Sequence, residues 1–294
     1  MLFYFGIFAM IGSILLGFIA EGGNVIVLFQ PYAALIIIGT GVGIFIVSNP
    51  RTLQRSIWIN IKRLRNGTPY HREDYVGLLT FMFFFFRHAQ TSGNLVLEKD
   101  IENPTQSPIF REFPDFLRKR EALVFFCDYM RMLSMGFNRS YELETLMQDQ
   151  INIRRNYTYE MSTALFKLAD ALPALGIIAA VLGVINAMSS VNQAPEILGH
   201  KIGAALLGTF IGIAVSYCVV APLSYYLEKF GMEEAKLLEC IKAGIISFLN
   251  GNTPIIAAEF ARQTAPVNLK PSFLDLEKAI DKHRTNRKVK KHGR

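Results

Sequence analysis

The polar side chains that could help an ion through this chain are hydroxyls in strongly apolar segments, such as Thr209, Ser216 and Tyr217. Proton and cation pathways in membranes usually need a titratable carboxylate at depth. The apolar segments hold none, because Asp170 and Glu21 stand only at their edges. Either the protein conducts nothing, or another chain completes the pathway.

Covalent and metal chemistry have no candidate in this sequence. The five histidines are scattered, and no two of them stand at metal-ligand spacing on a helix. No nucleophile is flanked by a base. We therefore expect neither an enzyme nor a bound metal or cofactor. The three cysteines, Cys127, Cys218 and Cys240, are predicted to be packing residues without disulfides.

Two prolines lie in the later apolar segments, Pro173 at the beginning of one and Pro222 near the end of the next. Each removes a backbone donor and so bends or loosens its helix. Membrane helices accept proline routinely. The residues alone therefore leave a simple kink and a functional hinge both open.

Glycines recur in the same apolar segments. The pairs Gly208 and Gly212, and Gly39 and Gly43, have the small-xxx-small spacing that lets helix backbones approach closely. A phosphate-binding loop is the alternative for the string GTGVG at 39–43, but no strand precedes it and no Gly-Lys-Ser/Thr follows. Helix packing is the interpretation we adopt.

Four windows without Asp, Glu, Lys or Arg must position these residues: 2–20, 25–48, 171–191 and 202–227. Each can cross about 30 Å of hydrocarbon, so we predict four membrane helices. A composition of 51% hydrophobic and 19% charged residues is also too apolar for an ordinary soluble domain. The run LLTFMFFFF at 78–86 is too short to span and predicts a buried or interfacial helix.

Basic residues predict the orientation, because Lys and Arg are retained on the cytoplasmic side. Of these residues, 17 lie between Arg51 and Lys167 and 13 between Lys229 and Arg294, which leaves only Lys201 for the outer loops. Both termini are therefore predicted to be cytoplasmic, with the first helix kept as an anchor. Attraction to anionic lipid explains the net charge of +7 without nucleic acid.

The chain is predicted to be all-α, with four parts: membrane helices 1 and 2 (1–50), a large cytoplasmic domain (51–169), membrane helices 3 and 4 (170–228), and a cytoplasmic helical region with a basic tail (229–294). No segment alternates clearly enough to predict a sheet.

Inside the soluble parts, the pattern predicts helices at 121–135 and around 143–151, and an irregular connection at 101–114. The last dozen residues, 283–294, are basic and poor in apolar residues, so they are expected to be disordered. A solvated tail and a lipid-surface role both remain open for them.

The layout and four strings resemble the MotA family of flagellar stator proteins, in the MotA/TolQ/ExbB proton channel group. The strings are LEKDIENP (97–104), DALPALG (170–176), LGTFIGI (207–213) and PSF (271–273), and they occur in the family's order. The resemblance covers nearly the whole chain, in the longer subtype.

This resemblance implies a ring of subunits, by analogy a pentamer, around a dimer of a second protein, MotB. The single span of MotB carries an essential aspartate, which accounts for the missing carboxylate. By similarity, Pro173 and Pro222 lie near that aspartate and respond to its protonation. Thr209 lines the ion path and Asp170 acts at its inner end, while Tyr217 is a further hydroxyl of the pathway.

The family also implies a contact with the rotor protein FliG through charged residues of the large cytoplasmic domain. Glu98 matches one such position, whereas Gln90 stands where the family usually has an arginine. Nearby Arg87 or Lys99 could take over that charge. Sodium-driven relatives tend to have threonine where this chain has Ala180, and alanine lacks the oxygen that a hard cation prefers. We therefore expect protons.

Two other functions are weighed against the stator. An ion-driven energiser of the ExbB or TolQ kind would share the partner's carboxylate, but those relatives resemble a three-span layout. A membrane scaffold without ion flow is the rival from another class. Replacing Pro173 or Pro222 distinguishes a scaffold from a stator, because a scaffold should tolerate the loss of a kink.

Overall fold

Helices form all the regular structure of residues 2–64, 70–92 and 94–292, the residues that the computed structural model describes, and no strand occurs among them. The all-α prediction is confirmed. The chain forms two compact units. Unit 1 comprises Met1–Gly67 and Tyr157–Phe230, and unit 2 comprises Thr68–Asn156 and Gly231–Arg294.

Four helical stretches in the described residues are long and apolar enough to cross a membrane. Helix α1 is Leu2–Ala20, and a 3₁₀ turn at Val25–Leu28 precedes α2, Pro31–Ser48. The second helix thus begins at Pro31 rather than at Val25, since proline suits the first position of a helix.

The third and fourth spans belong to very long helices. Helix α9 runs without interruption over Ser140–Met188 and contains Pro173. Helix α10 is Pro195–Val215, a π-turn follows at Ser216–Val220, and α11 is Ala221–Leu249. The fourth helix therefore begins at Pro195, before the predicted window, again with proline at its first position.

Unit 1 also contains α3, Arg51–Leu64, which is amphipathic. Its buried residues Leu53 and Ile57 pack with Met161, Leu165 and Leu227. A second cluster joins α2 to α9 through Ile37, Leu172, Leu175 and Ala179. These clusters are small, and helix α1 leaves most of its apolar side chains exposed, as expected of a helix that faces lipid.

Unit 2 is built on α4, Arg72–Ser92, whose run 78–86 is buried throughout. The predicted buried helix is confirmed. Phe81 is fully buried and its ring contacts five other phenylalanine rings. The remaining helices of this unit are α5 (Asn94–Glu102), α6 (Pro108–Arg111), α7 (Pro114–Arg118), α8 (Arg120–Ser134), α12 (Pro254–Gln263) and α13 (Phe273–His292).

Two helices predicted outside the four apolar windows follow their patterns. Helix α8 matches the prediction at 121–135, and the segment around 143–151 forms the beginning of α9. Leu143, Met147 and Ile151 are fully buried there. The predicted irregular connection at 101–114 is only partly irregular, because α6 lies inside it.

The basic end of the chain departs from expectation. The structure places 283–292 in α13, so the prediction of disorder is wrong for those residues, whereas 293–294 lie outside the described residues. Ser272 and Asp275 cap this helix reciprocally. The Ser272 N–H donates to Asp275 Oδ2 at 2.8 Å, and the Asp275 N–H donates to Ser272 Oγ at 3.2 Å.

Candidate functional site

The contact between α9 and α10 is made by glycines. A Cβ atom at Gly212 would lie 2.7 Å from the carbonyl oxygen of Leu172, and one at Gly176 would lie 2.9 Å from the carbonyl oxygen of Gly208. Neither position accommodates a side chain unless a backbone moves. The predicted packing role of Gly208 and Gly212 is confirmed.

The glycines of α2 behave differently. A Cβ atom at Gly39 or Gly43 would meet nothing within 4 Å in the described part of the chain, whereas one at Gly41 would lie 3.4 Å from Leu172 Cδ2. Gly39 and Gly43 therefore pack against no other helix in the described part of this chain. Residues four apart share one helix face, and Gly41, between them, faces α9 instead.

Ala180 and Thr209 lie along the same α9–α10 contact. A Cβ atom at Gly208 would be 3.1 Å from the backbone nitrogen of Ala180, and one at Gly176 would be 3.1 Å from Thr209 Cα. Ala180 is buried and Thr209 is half-buried. The structure thus brings these two predicted site residues to one helix interface.

Pro173 leaves a carbonyl of α9 without its helical donor. Proline has no N–H, so the carbonyl oxygen of Ala169, four residues earlier, lacks the donor that an α-helix normally gives it. The hydroxyl of Ser216 donates to that oxygen at 2.5 Å, and Ser216 is 1% exposed. Leaving such a buried carbonyl unpaired would cost about 1–3 kcal/mol.

Pro222 is preceded by the π-turn. The Ala221 N–H donates to the carbonyl of Ser216, five residues earlier instead of four. Single π-turns of this kind are rare and recur at functional sites. The loosening predicted at Pro222 is therefore present as a widened turn that ends just before the proline.

A pair of serines joins α9 to α11. The Ser224 hydroxyl donates to the carbonyl of Ser162 at 2.8 Å, and the Ser162 hydroxyl lies 3.1 Å from the carbonyl of Ser224. Both serines are buried. With Ser216, they give unit 1 a set of buried bonds between helices that contains no ionised group.

The remaining predicted pathway residues are exposed. Asp170 follows Ala169 directly and is exposed, as is Glu21. Tyr217 is 64% exposed, although its neighbour Ser216 is buried, so the structure does not bring these two hydroxyls together. None of the buried residues described in unit 1 is acidic.

The predicted rotor residues lie on two neighbouring helices of unit 2. Arg87 and Gln90 are exposed on α4, and Glu98 and Lys99 are exposed on α5. The side chain of His88 on α4 joins α5, with Nε2 3.1 Å from Oδ2 of Asp100. The structure therefore brings α4 and α5 together and leaves the four predicted side chains at the surface.

Arg87 also lines an open groove of about 800 Å³ between α4 and α13. The α13 side contributes Asp281 and Arg284, whose side chains form an ion pair of 3.5 Å. The guanidinium of Arg284 lies over the Phe83 ring, 5.3 Å from its centroid. Charges of both signs thus meet at this surface.

The two buried cysteines of unit 2 are not nucleophiles. Burial raises the pKa of Cys127 to about 12 and that of Cys240 to about 12, so both thiols stay protonated near neutral pH. Cys127 and Cys240 are buried, as predicted for packing residues, whereas Cys218 is half-buried; all three are free. Within the described ranges, no cluster of three or more His, Cys, Asp or Glu side chains could hold a metal.

Sequence reasoning noted Ser216 only as one hydroxyl among several and did not single out Ser162 or Ser224. Pro173 does signal that the carbonyl of residue 169 needs a donor, because the i to i+4 rule fixes which carbonyl is freed. The donor comes from 47 residues along the chain. Nothing in a single sequence specifies that pairing.

The comparisons with known proteins agree with this architecture. The family described as Motility protein A N-terminal matches residues 4–93, and the MotA/TolQ/ExbB proton channel family matches residues 121–239. Motility protein A of Salmonella typhimurium is 35% identical over 280 residues, which is 95% of each chain. Motility protein A of Escherichia coli is 34% identical over the same share.

A solved structure of C. jejuni MotAB has the same fold, with a TM-score of 0.75 at 21% identity. The match covers 90% of this chain and 96% of that chain. Two motility proteins are thus 35% and 34% identical over 95% of this chain, both family descriptions match, and four helical stretches are apolar enough to span a membrane. The chain belongs to the motility protein A family of the MotA/TolQ/ExbB proton channels.

Proposed function

We propose that this chain is the proton-channel subunit of a flagellar motor stator and conducts protons only with a MotB-like partner. The observation that carries the proposal is the absence of Asp, Glu, Lys and Arg from the four apolar windows. A membrane path for protons needs a group that can be neutralised at depth. That group must then come from another chain.

The partner supplies the aspartate on a single span, and several copies of this chain surround it. The wide apolar faces that α9 and α10 leave exposed, with Ile177, Val181, Ile185 and Leu206 among their side chains, fit such an assembly. The C. jejuni relative is itself a MotAB assembly. A pentameric ring around a partner dimer is the arrangement we infer by resemblance.

The proton's passage is coupled to movement at the two prolines. One elementary charge crossing the membrane is worth about 2.3 kcal/mol per 100 mV. Neutralisation of the partner's aspartate repacks the helices at Pro173 and Pro222, with Thr209 along the path and exposed Asp170 at its inner end. Ala180 offers no side-chain oxygen to a sodium ion and fits a proton path.

Movement in unit 2 then turns the rotor through FliG. Exposed Glu98 and Lys99 on α5 and exposed Arg87 on α4 are the charges available for that contact. Gln90 is exposed beside them and is neutral. Arg87 or Lys99 therefore takes the basic role. The protein lies in the inner membrane, with both termini in the cytoplasm.

The four-span layout favours this function over an energiser of the ExbB or TolQ kind. The description that matches residues 4–93 is that of a motility protein. The first two predicted spans, 2–20 and 25–48, lie in that region. A three-span relative does not have these two spans in the same arrangement. A non-conducting scaffold is the other alternative, and the prolines test it.

Proton flux in vesicles tests the proposal. The chain alone, the chain with its partner, and the chain with a partner whose aspartate is replaced by asparagine are reconstituted at equal amounts. We expect flux only from the second preparation. Equal flux from the chain alone would overturn the proposal, because the pathway would then need no foreign carboxylate.

Proline variants separate a stator from a scaffold. Pro173→Ala and Pro222→Ala each restore a backbone donor and straighten the local helix. We expect both variants to assemble with the partner in normal amounts and to lose most motor torque, measured on tethered cells. Normal torque from both variants would favour the scaffold.

A further inference from the structure

The strongest unassigned feature of the described residues is the hydroxyl of Ser216. It lies at the meeting point of both proline sites, since it donates to the carbonyl of Ala169 that Pro173 leaves unpaired. Ser216 is also the first residue of the π-turn that ends before Pro222. One side chain thus connects the carbonyl that Pro173 leaves without its helical donor to the π-turn of the fourth span.

The bond of Ser216 differs in kind from those of Ser162 and Ser224. The carbonyls of Ser162 and Ser224 stand four residues before Phe166 and Glu228, which have backbone N–H groups available within their helices. The serine hydroxyls therefore add a second hydrogen bond to carbonyls for which a helical donor is available. For Ala169, the residue four positions later is Pro173, so the hydroxyl of Ser216 replaces the missing helical donor.

The backbone of Ser216 is engaged at the same time. Its N–H donates to the carbonyls of Gly212 and Ile213, and its carbonyl accepts from Ala221. A shift of the α9 backbone at Ala169 would therefore pull on the first residue of the π-turn. A change in the π-turn would in turn release the Ala169 carbonyl.

We propose that Ser216 is a positioning residue that couples the missing backbone donor at Pro173 to the π-turn before Pro222, so that the two helices respond together when the partner's carboxylate is neutralised. The coupling rests on the proposed function. The bond on which it depends can be tested separately.

The variant Ser216→Ala removes the hydroxyl without adding volume. Ser162→Ala is the matched control, because Ser162 is equally buried, bonds between helices and serves a carbonyl that keeps its helical donor. Both are made in the full chain, co-expressed with the partner, and compared at equal amounts of assembled complex. Ser216→Thr retains a hydroxyl at the site.

Thermal unfolding of the purified complex tests the bond through a double-mutant cycle with Pro173→Ala. In that background residue 173 regains an N–H for the Ala169 carbonyl. We expect Ser216→Ala to lower the unfolding midpoint in the natural background and to have a much smaller effect beside Pro173→Ala. Ser162→Ala should have the same effect in both backgrounds.

Proton flux per assembled complex tests the coupling. We expect Ser216→Ala to lower flux at least fivefold, Ser162→Ala to leave it within twofold, and Ser216→Thr to recover most of it. Equal flux from the two alanine variants would overturn the coupling. An effect of Ser216→Ala on unfolding that is unchanged beside Pro173→Ala would overturn the bond itself.

Failure of the proposed function would look different. If the unmodified chain with its partner passes no protons, then the proposed function and the coupling that rests on it are both wrong. The unfolding cycle would still decide whether Ser216 replaces the donor that Pro173 lacks.

Discussion

In unit 1 the contact of α9 with α10 and α11 relies on glycine and serine, whereas the core of unit 2 is built mainly on phenylalanine. Gly176 and Gly212 let the backbones of α9 and α10 come into contact, and Ser216 adds a buried hydrogen bond. Around Phe81 and Phe126, by contrast, unit 2 buries a cluster of aromatic rings. The same chain therefore uses two kinds of packing.

In the proposed function unit 1 lies in the bilayer and unit 2 in water, and the difference follows from these two solvents. Lipid tails are as apolar as leucine, so burying apolar side chains gains little in a bilayer, and close backbone approach and hydrogen bonds between helices take over. In water, burial of apolar area is the dominant stabilising term, at about 25 cal/mol per Å². Damage to each unit should accordingly depend on different residues.

The largest effect is expected at Phe81 in unit 2. Phe81→Ala removes a fully buried ring and should cost about 3–5 kcal/mol of unfolding free energy. Phe260→Ala is the control, since that ring is 53% exposed. The measurement is the urea concentration at which buried Cys127 and Cys240 react with a maleimide. Equal midpoints for the two variants would contradict an aromatic core.

Gly212 tests unit 1 in the opposite way, by adding an atom. Gly212→Ala places a methyl group 2.7 Å from the carbonyl oxygen of Leu172, and such overpacking should cost about 1–3 kcal/mol. A Cβ atom at Gly203, in the same helix, meets nothing within 4 Å, so Gly203→Ala is the control. We measure the amount of complex assembled in membranes.

The contrast between the two units would be contradicted if Gly212→Ala also lowered the urea concentration at which Cys127 and Cys240 react with the maleimide. It is sharpened if that variant lowers assembly while the thiols of unit 2 stay protected. The two outcomes separate a local clash in unit 1 from general unfolding of the chain.

Arg262 tests whether unit 2 also depends on polar contacts. Its guanidinium binds both carboxylate oxygens of Glu259 and donates to the carbonyl of Pro271 at 2.8 Å. Lysine cannot form this fork, so Arg262→Lys should cost about 1.5–3 kcal/mol. Arg118→Lys is the control, because the Arg118 side chain is 80% exposed. The measurement is again the urea concentration at which Cys127 and Cys240 react with a maleimide. Equal losses of stability in Arg262→Lys and Arg118→Lys would show that the fork of Arg262 adds no stability.

The smallest effect is expected at the cap of α13. Hydrogen bonds from the hydroxyl and backbone of Ser272 hold the pKa of Asp275 below its ordinary value. A depressed pKa in the folded chain stabilises the cap above the unfolded pKa, and this is lost as pH falls through the folded pKa.

Hydrogen exchange of the first turn of α13 measures this loss. Protection should decrease in the natural chain as pH falls below about 4, the ordinary pKa range of an aspartate. Asp275→Asn should lower protection at pH 5 and remove the pH dependence. An unchanged pH dependence in the variant would assign the titration to another group.

Much of the fold was predictable because its signals are local. Charge-free windows of about 20 residues mark membrane helices by length alone, and the run at 78–86 was too short to span, which left a buried or interfacial helix. The error at 283–292 has a physical reason. The pattern there is polar, but a cap at Ser272 and contacts of α13 with α4 support the helix.

The candidate site was predictable only in part. Pro173 and Pro222 are recognisable because proline has a known effect on the backbone wherever it stands. Two features of the site depend on how helices rotate against each other. They are the choice of the glycine of α2 that packs and the choice of the serine that donates to the carbonyl of Ala169. That rotation is a property of the packed helices and leaves no mark on either segment alone.

The π-turn at Ser216–Val220 has one further consequence, for the angular position of side chains on the fourth helix. A π-turn holds one residue more than an α-helical turn, so every later residue is displaced by about 100° around the axis. Ser224 faces Ser162, and Leu227 is 1% exposed, under that displacement. A helical wheel drawn through the whole segment would therefore assign these two residues to the wrong face.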